Sequence, residues 1–144
     1  MPQSIKTIAI PAFRNGTQRY QLARLLPADM TREFISRTKY KIVDDPNMAD
    51  AVLQGTLVNF VAIQTLVDPT TSRATSVQVI VNVDVMLTER ATGKVLVALR
   101  GLDFRERYQV SINPQAYFDE SATAIERVSK DVAQSVVTSI LENF

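Results

Sequence analysis

Lys94, Arg100, Arg105 and Arg107 crowd one predicted strand and the turn before it, and they form the densest basic group in the chain. Guanidinium forks match the planar oxygens of phosphate and carboxylate, so such a group could hold an anion. At alternate positions of an extended strand Arg105 and Arg107 share a face. The competing reading is defensive, because cations along an edge strand discourage unwanted pairing with other chains. Lys94, Arg105 and Arg107 are the candidate anion ligands; Arg100 is expected on the opposite face if Gly101 forms a bulge.

Acidic side chains offer two further possibilities. Asp119 and Glu120 could work as acid and base on a sugar, yet they stand beside a predicted helix start, where carboxylates meet the positive end of the helix dipole. Asp44, Asp45 and Asp50 could supply oxygens to calcium, but the Asp-x-Asp-x-Asp-Gly spacing is missing, and Pro46 and Asn47 are ordinary turn formers. Structural roles are expected for all five.

No histidine and no cysteine occur, which removes the imidazole base, the thiolate nucleophile and the usual nitrogen and sulfur ligands of zinc. Gly16 and Gly93 stand alone, so neither phosphate-cradling glycine pattern is present. A Ser-His-Asp triad is impossible, and neither Ser-x-x-Lys nor Gly-x-Ser-x-Gly appears. The inventory predicts a non-enzymatic chain with no cofactor and no metal, working by binding or assembly.

A length of 144 residues fits one domain, 1–144. At that size folding hides roughly 70% of the unfolded chain's surface, enough for a core. Sixteen basic against fifteen acidic residues give a net charge of +1, so no global field draws the chain to nucleic acid or to an anionic membrane. No window approaches the ~20 apolar residues that would span a bilayer as a helix.

These residues must be positioned by a mixed set of elements. Ile5 to Phe13 predicts a strand closed by the turn Arg14-Asn-Gly-Thr17. Leu22, Leu26, Met30 and Phe34, with Leu25 and Ile35 beside them, form a helical stripe; Pro27 predicts either a kink or a regular helix that begins near Leu26. A short strand Tyr40 to Val43, a turn at 44–47 and a long strand Ala51 to Val67 follow, with Asn59 as a candidate bulge.

Val77, Val79, Val81, Val83, Val85 and Leu87 alternate with polar residues in the clearest strand of the chain. The last strand, Val95 to about Tyr108, changes phase near Gly101, and a long amphipathic helix is expected from about Gln115 to Leu141. The expected fold is α+β: two helices packed on one face of a mixed, mostly antiparallel four-stranded sheet in β-α-β-β-β-α order. The other face is expected to carry Val58, Phe60, Ile80 and Met86 as apolar islands among polar residues, a surface for a partner or for acyl chains.

Three segments together resemble the LptE family of lipopolysaccharide-assembly lipoproteins: Ile8-Ala-Ile-Pro-Ala-Phe13 with Asn15 and Thr17; Val43 to Gly55; and Asp84-Val-Met-Leu-Thr-Glu-Arg-Ala-Thr-Gly-Lys-Val95. The likeness covers nearly the whole chain and lies in their order, spacing and closing helix.

The resemblance implies a lipoprotein on the periplasmic side of the outer membrane, seated in the β-barrel LptD and binding lipopolysaccharide as that lipid is inserted into the outer leaflet. It also implies an anchor on an acylated cysteine that this chain lacks, Met1-Pro2 being expected just after that region. Pro27 departs from the family's uninterrupted helix. The competing reading is a protein-binding module of another envelope complex, similar to curli-type secretion lipoproteins or Tol-associated domains.

Overall fold

Alternation along Val77 to Leu87 obliges one face of that strand to leave water, and the two amphipathic helices supply the cover. The computed structural model describes residues 5–67, 74–108 and 122–143. In chain order the elements are β1 (Thr7–Ala9), β2 (Arg14–Asn15), α1 (Tyr20–Arg37), β3 (Lys41–Val43), a 3-10 turn (Pro46–Met48), β4 (Ala51–Val67), β5 (Ala74–Glu89), β6 (Val95–Tyr108) and α2 (Ala122–Glu142). The strands form one sheet in the order β3-β1-β4-β5-β6, with β2 also paired to β4. β1 runs parallel to β3 and β4, whereas β4, β5 and β6 form an antiparallel meander.

The architecture is α+β as expected, but the sheet has six strands rather than four. The predicted first strand is broken in two, and its second piece pairs Arg14 with Thr56 and Asn15 with Leu57. Pro11 explains the break, since it lacks the N–H that would continue the ladder. The short strand β3 adds beside β1, on its far side from β4. Phe13, after the break, lays its ring over Gly55, so closely that any Cβ at that position would collide with the ring's Cζ.

Helix α1 runs unbroken from Tyr20 with Pro27 inside it, so the later start is not observed. An interior proline costs about 3 kcal/mol. Leu22, Leu26, Met30 and Phe34 are all fully buried on either side of it, and each such side chain gains about 1.5–3 kcal/mol on leaving water. Ile35, expected beside the stripe, is instead 62% exposed. In α2 the predicted stripe holds: Ile125, Val128, Val132, Val136 and Ile140 are buried. The expected beginning of that helix at 115–121 lies outside the described residues.

Both helices share one core with Leu53, Leu57 and the odd-numbered valines of β5. Asp29 of α1 is buried in that layer, accepts from the Ser129 hydroxyl of α2 at 2.5 Å and pairs with Arg32 at 2.8 Å. The bond satisfies a polar group that burial would otherwise penalise. No described helix is long and apolar enough to cross a membrane.

Candidate functional site on the outer face of the sheet

Strand alternation sends every second side chain away from the helices, but register slips change which ones, and two of them, one in β4 and one in β6, govern this face. In β4 the register against β5 slips between Leu57 and Asn59. Beyond the slip Phe60 and Ala62 lie opposite Val81 and Val79 on the core side, while Asn59, Val61 and Ile63 lie opposite Asn82, Ile80 and Gln78 on the outer side. Phe60 therefore packs against the core, with the Arg19 guanidinium 4.7 Å from its ring centroid. The expected outer grouping of Val58, Phe60, Ile80 and Met86 is corrected accordingly. Ile80 and Met86 keep the outer face and Val58 sits 45% exposed at the bulge, but Phe60 has turned inward because the extra residue reverses parity.

The second bulge is in β6. Val85 faces Leu99 and Val83 faces Leu102, so Arg100 and Gly101 together oppose Asp84. Gly101 takes a φ of 68°, in the left-handed region glycine favours, and donates its N–H to Asp84 Oδ1 at 2.7 Å. The same parity rule overturns the expectation for Arg100. Without a bulge Arg100 would oppose Arg105 and Arg107; with it, all three join the outer face, Arg105 beside Ile80 and Arg107 beside Gln78.

Lys94 does not join them. It lies in the turn before β6, where its carbonyl accepts from Glu89 N at 2.8 Å, and roughly 30 Å of strand separates it from Arg105. The predicted trio is thus two neighbours and a distant third.

A polar row crosses three strands. Asn59 Nδ2 donates to Asn82 Oδ1 and Asn82 Nδ2 to Asp103 Oδ1, each at 3.1 Å, and Arg105 Nε donates to Asp103 Oδ2 at 2.7 Å. Arg105 consequently arrives already paired. Arg14, Arg100 and Arg107 have no carboxylate within 4.0 Å among the described residues. Arg14 was not foreseen in the sequence, because it sits in a turn-like run and reaches this face only through the non-local pairing of β2 with β4.

Between β2 and β6 the outer face forms a groove of about 510 Å³ whose lining includes Pro11, Ala12, Arg14, Met86, Ala98 and Arg100. Cationic rims and a partly apolar floor suit an amphiphile bearing anionic groups.

Two of the acidic candidates, Asp45 and Asp50, take structural places. Asp45 Oδ1 accepts from Asn47 N at 2.9 Å and starts the 3-10 turn. Asp50 Oδ2 accepts from the backbone N–H of Lys6 at 2.8 Å and of Thr7 at 3.1 Å, tying β4 to β1, and these bonds hold its carboxyl below the usual aspartate value. Among the described residues no three acidic side chains converge as metal ligands. Asp119 and Glu120 lie outside the described residues.

A model of the LptE family, described as lipopolysaccharide-assembly, matches residues 5–140. The chain belongs to the LptE family. Membership assigns it to lipopolysaccharide assembly, in a family of non-catalytic lipoproteins. A search of curated proteins returns no match.

Solved structures agree on the fold of this LptE-family chain. A protein from Xanthomonas campestris is 13% identical with a TM-score of 0.62, over 99% of this chain and 87% of that one. Rare lipoprotein B from Shewanella oneidensis is 17% identical, TM-score 0.54, over 94% of each. A PelC dodecamer subunit from Paraburkholderia phytofirmans is 14% identical, TM-score 0.50, over 88% and 87%. At such identities the likeness concerns fold.

Proposed function

We propose that this chain is a non-enzymatic component of the outer-membrane lipopolysaccharide translocon. It seats against an LptD-type β-barrel, assists that barrel's assembly and plugs it, and binds lipopolysaccharide during insertion into the outer leaflet. The observation that carries this reading, beside family membership, is the outer sheet face, where Arg14, Arg100 and Arg107, which have no carboxylate partner among the described residues, share a face with exposed Met86 and Ala98. Lipid A presents the matching pair of features, phosphates and acyl chains. In this reading the protein acts at the periplasmic side of the outer membrane.

The test is a pull-down from outer-membrane extract with the purified domain as bait. Recovery of the large β-barrel is expected; recovery of only secretion or Tol components would replace this reading with the alternative, a protein-binding module of another envelope complex.

Arg105 and Arg107 have a direct test of their own. The double charge reversal Arg105→Glu and Arg107→Glu should weaken lipopolysaccharide binding by inverting the field on this face, while the thermal midpoint stays nearly unchanged. Unaltered binding would remove these two residues from the site. Lys94, far along the strand, contributes at most at a separate point of the same large ligand.

A further inference from the structure

We infer that Arg14 and Arg100 clamp the phosphate-bearing, acylated end of lipopolysaccharide in the groove between β2 and β6, an inference that rests on the lipopolysaccharide-binding reading above. The two arginines come from strands at opposite sides of the groove. β2, β4, β5 and β6 are consecutive there, so three strand spacings, roughly 14 Å, separate the two backbones. Long guanidinium side chains rising from the two rims can converge on a phosphate between them or hold one phosphate each.

Each rim is fixed by its own device. Beside Arg14, Asn15 Oδ1 accepts from Thr17 N at 2.9 Å and from Thr17 Oγ1 at 2.7 Å, and Gly16 N donates to Leu57 O at 2.9 Å. On its other side the Phe13 ring is lodged over Gly55. Beside Arg100, the left-handed Gly101 and its bond to Asp84 set the bulge. Bulges commonly re-aim a side chain at a functional site, and here the bulge brings Arg100 onto the face that carries Arg14. Pre-set backbones lower the ordering cost of binding.

Charge separates this pair from its neighbour. Arg105 spends its Nε on Asp103, whereas neither Arg14 nor Arg100 has a carboxylate within 4.0 Å among the described residues. Asp84, the one acid among the groove's described lining residues, has one oxygen occupied by the Gly101 N–H. Two guanidiniums against one carboxylate leave the groove cationic. Met86, 36% exposed, and the exposed Ala98 beside it extend an apolar floor for the first segments of acyl chain.

The test follows a fluorescently labelled lipopolysaccharide by polarisation with the purified chain, with thermal midpoints recorded alongside. Arg14→Ala and Arg100→Ala together are expected to weaken binding roughly tenfold or more, the scale of a lost charge-assisted contact, while Arg24→Ala, at an exposed position of α1, changes it far less. Dephosphorylated lipid A should compete much less well than lipid A. Wild-type binding that survives both substitutions, or equal competition by the dephosphorylated lipid, overturns the clamp and leaves the proposed function standing. Failure of the wild-type chain to bind at all defeats both. Should the double variant fail to fold, phenylglyoxal modification of the wild-type chain replaces it. Bound lipopolysaccharide must then shield Arg14 and Arg100, and equal labelling with and without lipid overturns the assignment.

Discussion

The two faces of this sheet are built from the same three long strands, yet they differ in almost every property. On the inner face Val77, Val79, Val81, Val83, Val85 and Leu87 are at most 3% exposed and meet Leu53, Leu57 and two helices. On the outer face the neighbouring positions carry a hydrogen-bonded row of Asn59, Asn82 and Asp103, four arginines and scattered apolar side chains. The inner face is specified by volume. The outer face is specified by where individual charges point, and that is decided by two bulges rather than by the alternation itself. Family membership and the inner face account for the fold; the arginine geometry rests on the bulges and on the pairing of β2 with β4.

The largest effect should come from the inner face. Leu57→Ala, at a fully buried position, is expected to cost about 2–5 kcal/mol by leaving a cavity. Ile63→Ala, on the outer face of the same strand and 44% exposed, should cost less than about 1 kcal/mol. Urea denaturation of both variants measures the contrast, and equal losses would mean that the faces are not distinguished as described.

Next is the contact that seats β2. A Cβ at Gly55 would come within 2.5 Å of three Phe13 ring atoms, so Gly55→Ala should destabilise by about 1–3 kcal/mol through overpacking. On a Phe13→Leu background the penalty should shrink, because the ring atoms in collision are gone. Additive losses would show that the ring moves aside freely.

Much of the inner face was legible in the sequence. The valine alternation of β5 and the stripe of α2 each follow a single period, and a single period is local information. The bulges at Asn59 and Gly101 were visible too, as an interrupted face and a change of phase. Their consequence is not local: one extra residue reverses parity for everything beyond it, which turns Phe60 inward and gathers Arg100 with Arg105 and Arg107. The break at Pro11 and the pairing of β2 with Thr56 were not legible, because that pairing joins residues about 40 apart and leaves no local pattern. Arg14, and with it one rim of the groove, was missed for the same reason.

Gly101 and Gly93 allow the faces to be separated by experiment. Both have positive φ, 68° and 73°, with open space where a Cβ would sit, so alanine at either should cost about 1–2 kcal/mol of backbone strain. Only Gly101 sets the direction of Arg100. Equal losses in denaturation, with weakened lipopolysaccharide binding for Gly101→Ala alone, are expected; the same binding for both variants would detach the bulge from the site.

The smallest expected effect probes the inner face where it becomes polar. Tyr108 pairs with Val77 at the far end of β6, is 2% exposed, donates its hydroxyl to Asp131 Oδ2 at 2.6 Å and has the Arg127 guanidinium 4.6 Å from its ring centroid. Tyr108→Phe keeps the ring and removes the bond, so it should cost about 1 kcal/mol at neutral pH. Burial, and then the Asp131 carboxylate, push the phenol's pKa well above its ordinary 10.0. A group whose folded pKa is raised adds stability that is complete below the unfolded value and is lost as pH rises beyond it. The unfolded phenol ionises near 10.0 while the folded one keeps its proton, so the advantage of wild type over Tyr108→Phe should narrow as pH climbs past 10.0. Denaturation of both proteins at neutral pH and in steps above 10.0 measures this; an advantage that stayed constant would place the phenol in water and open this end of the inner face.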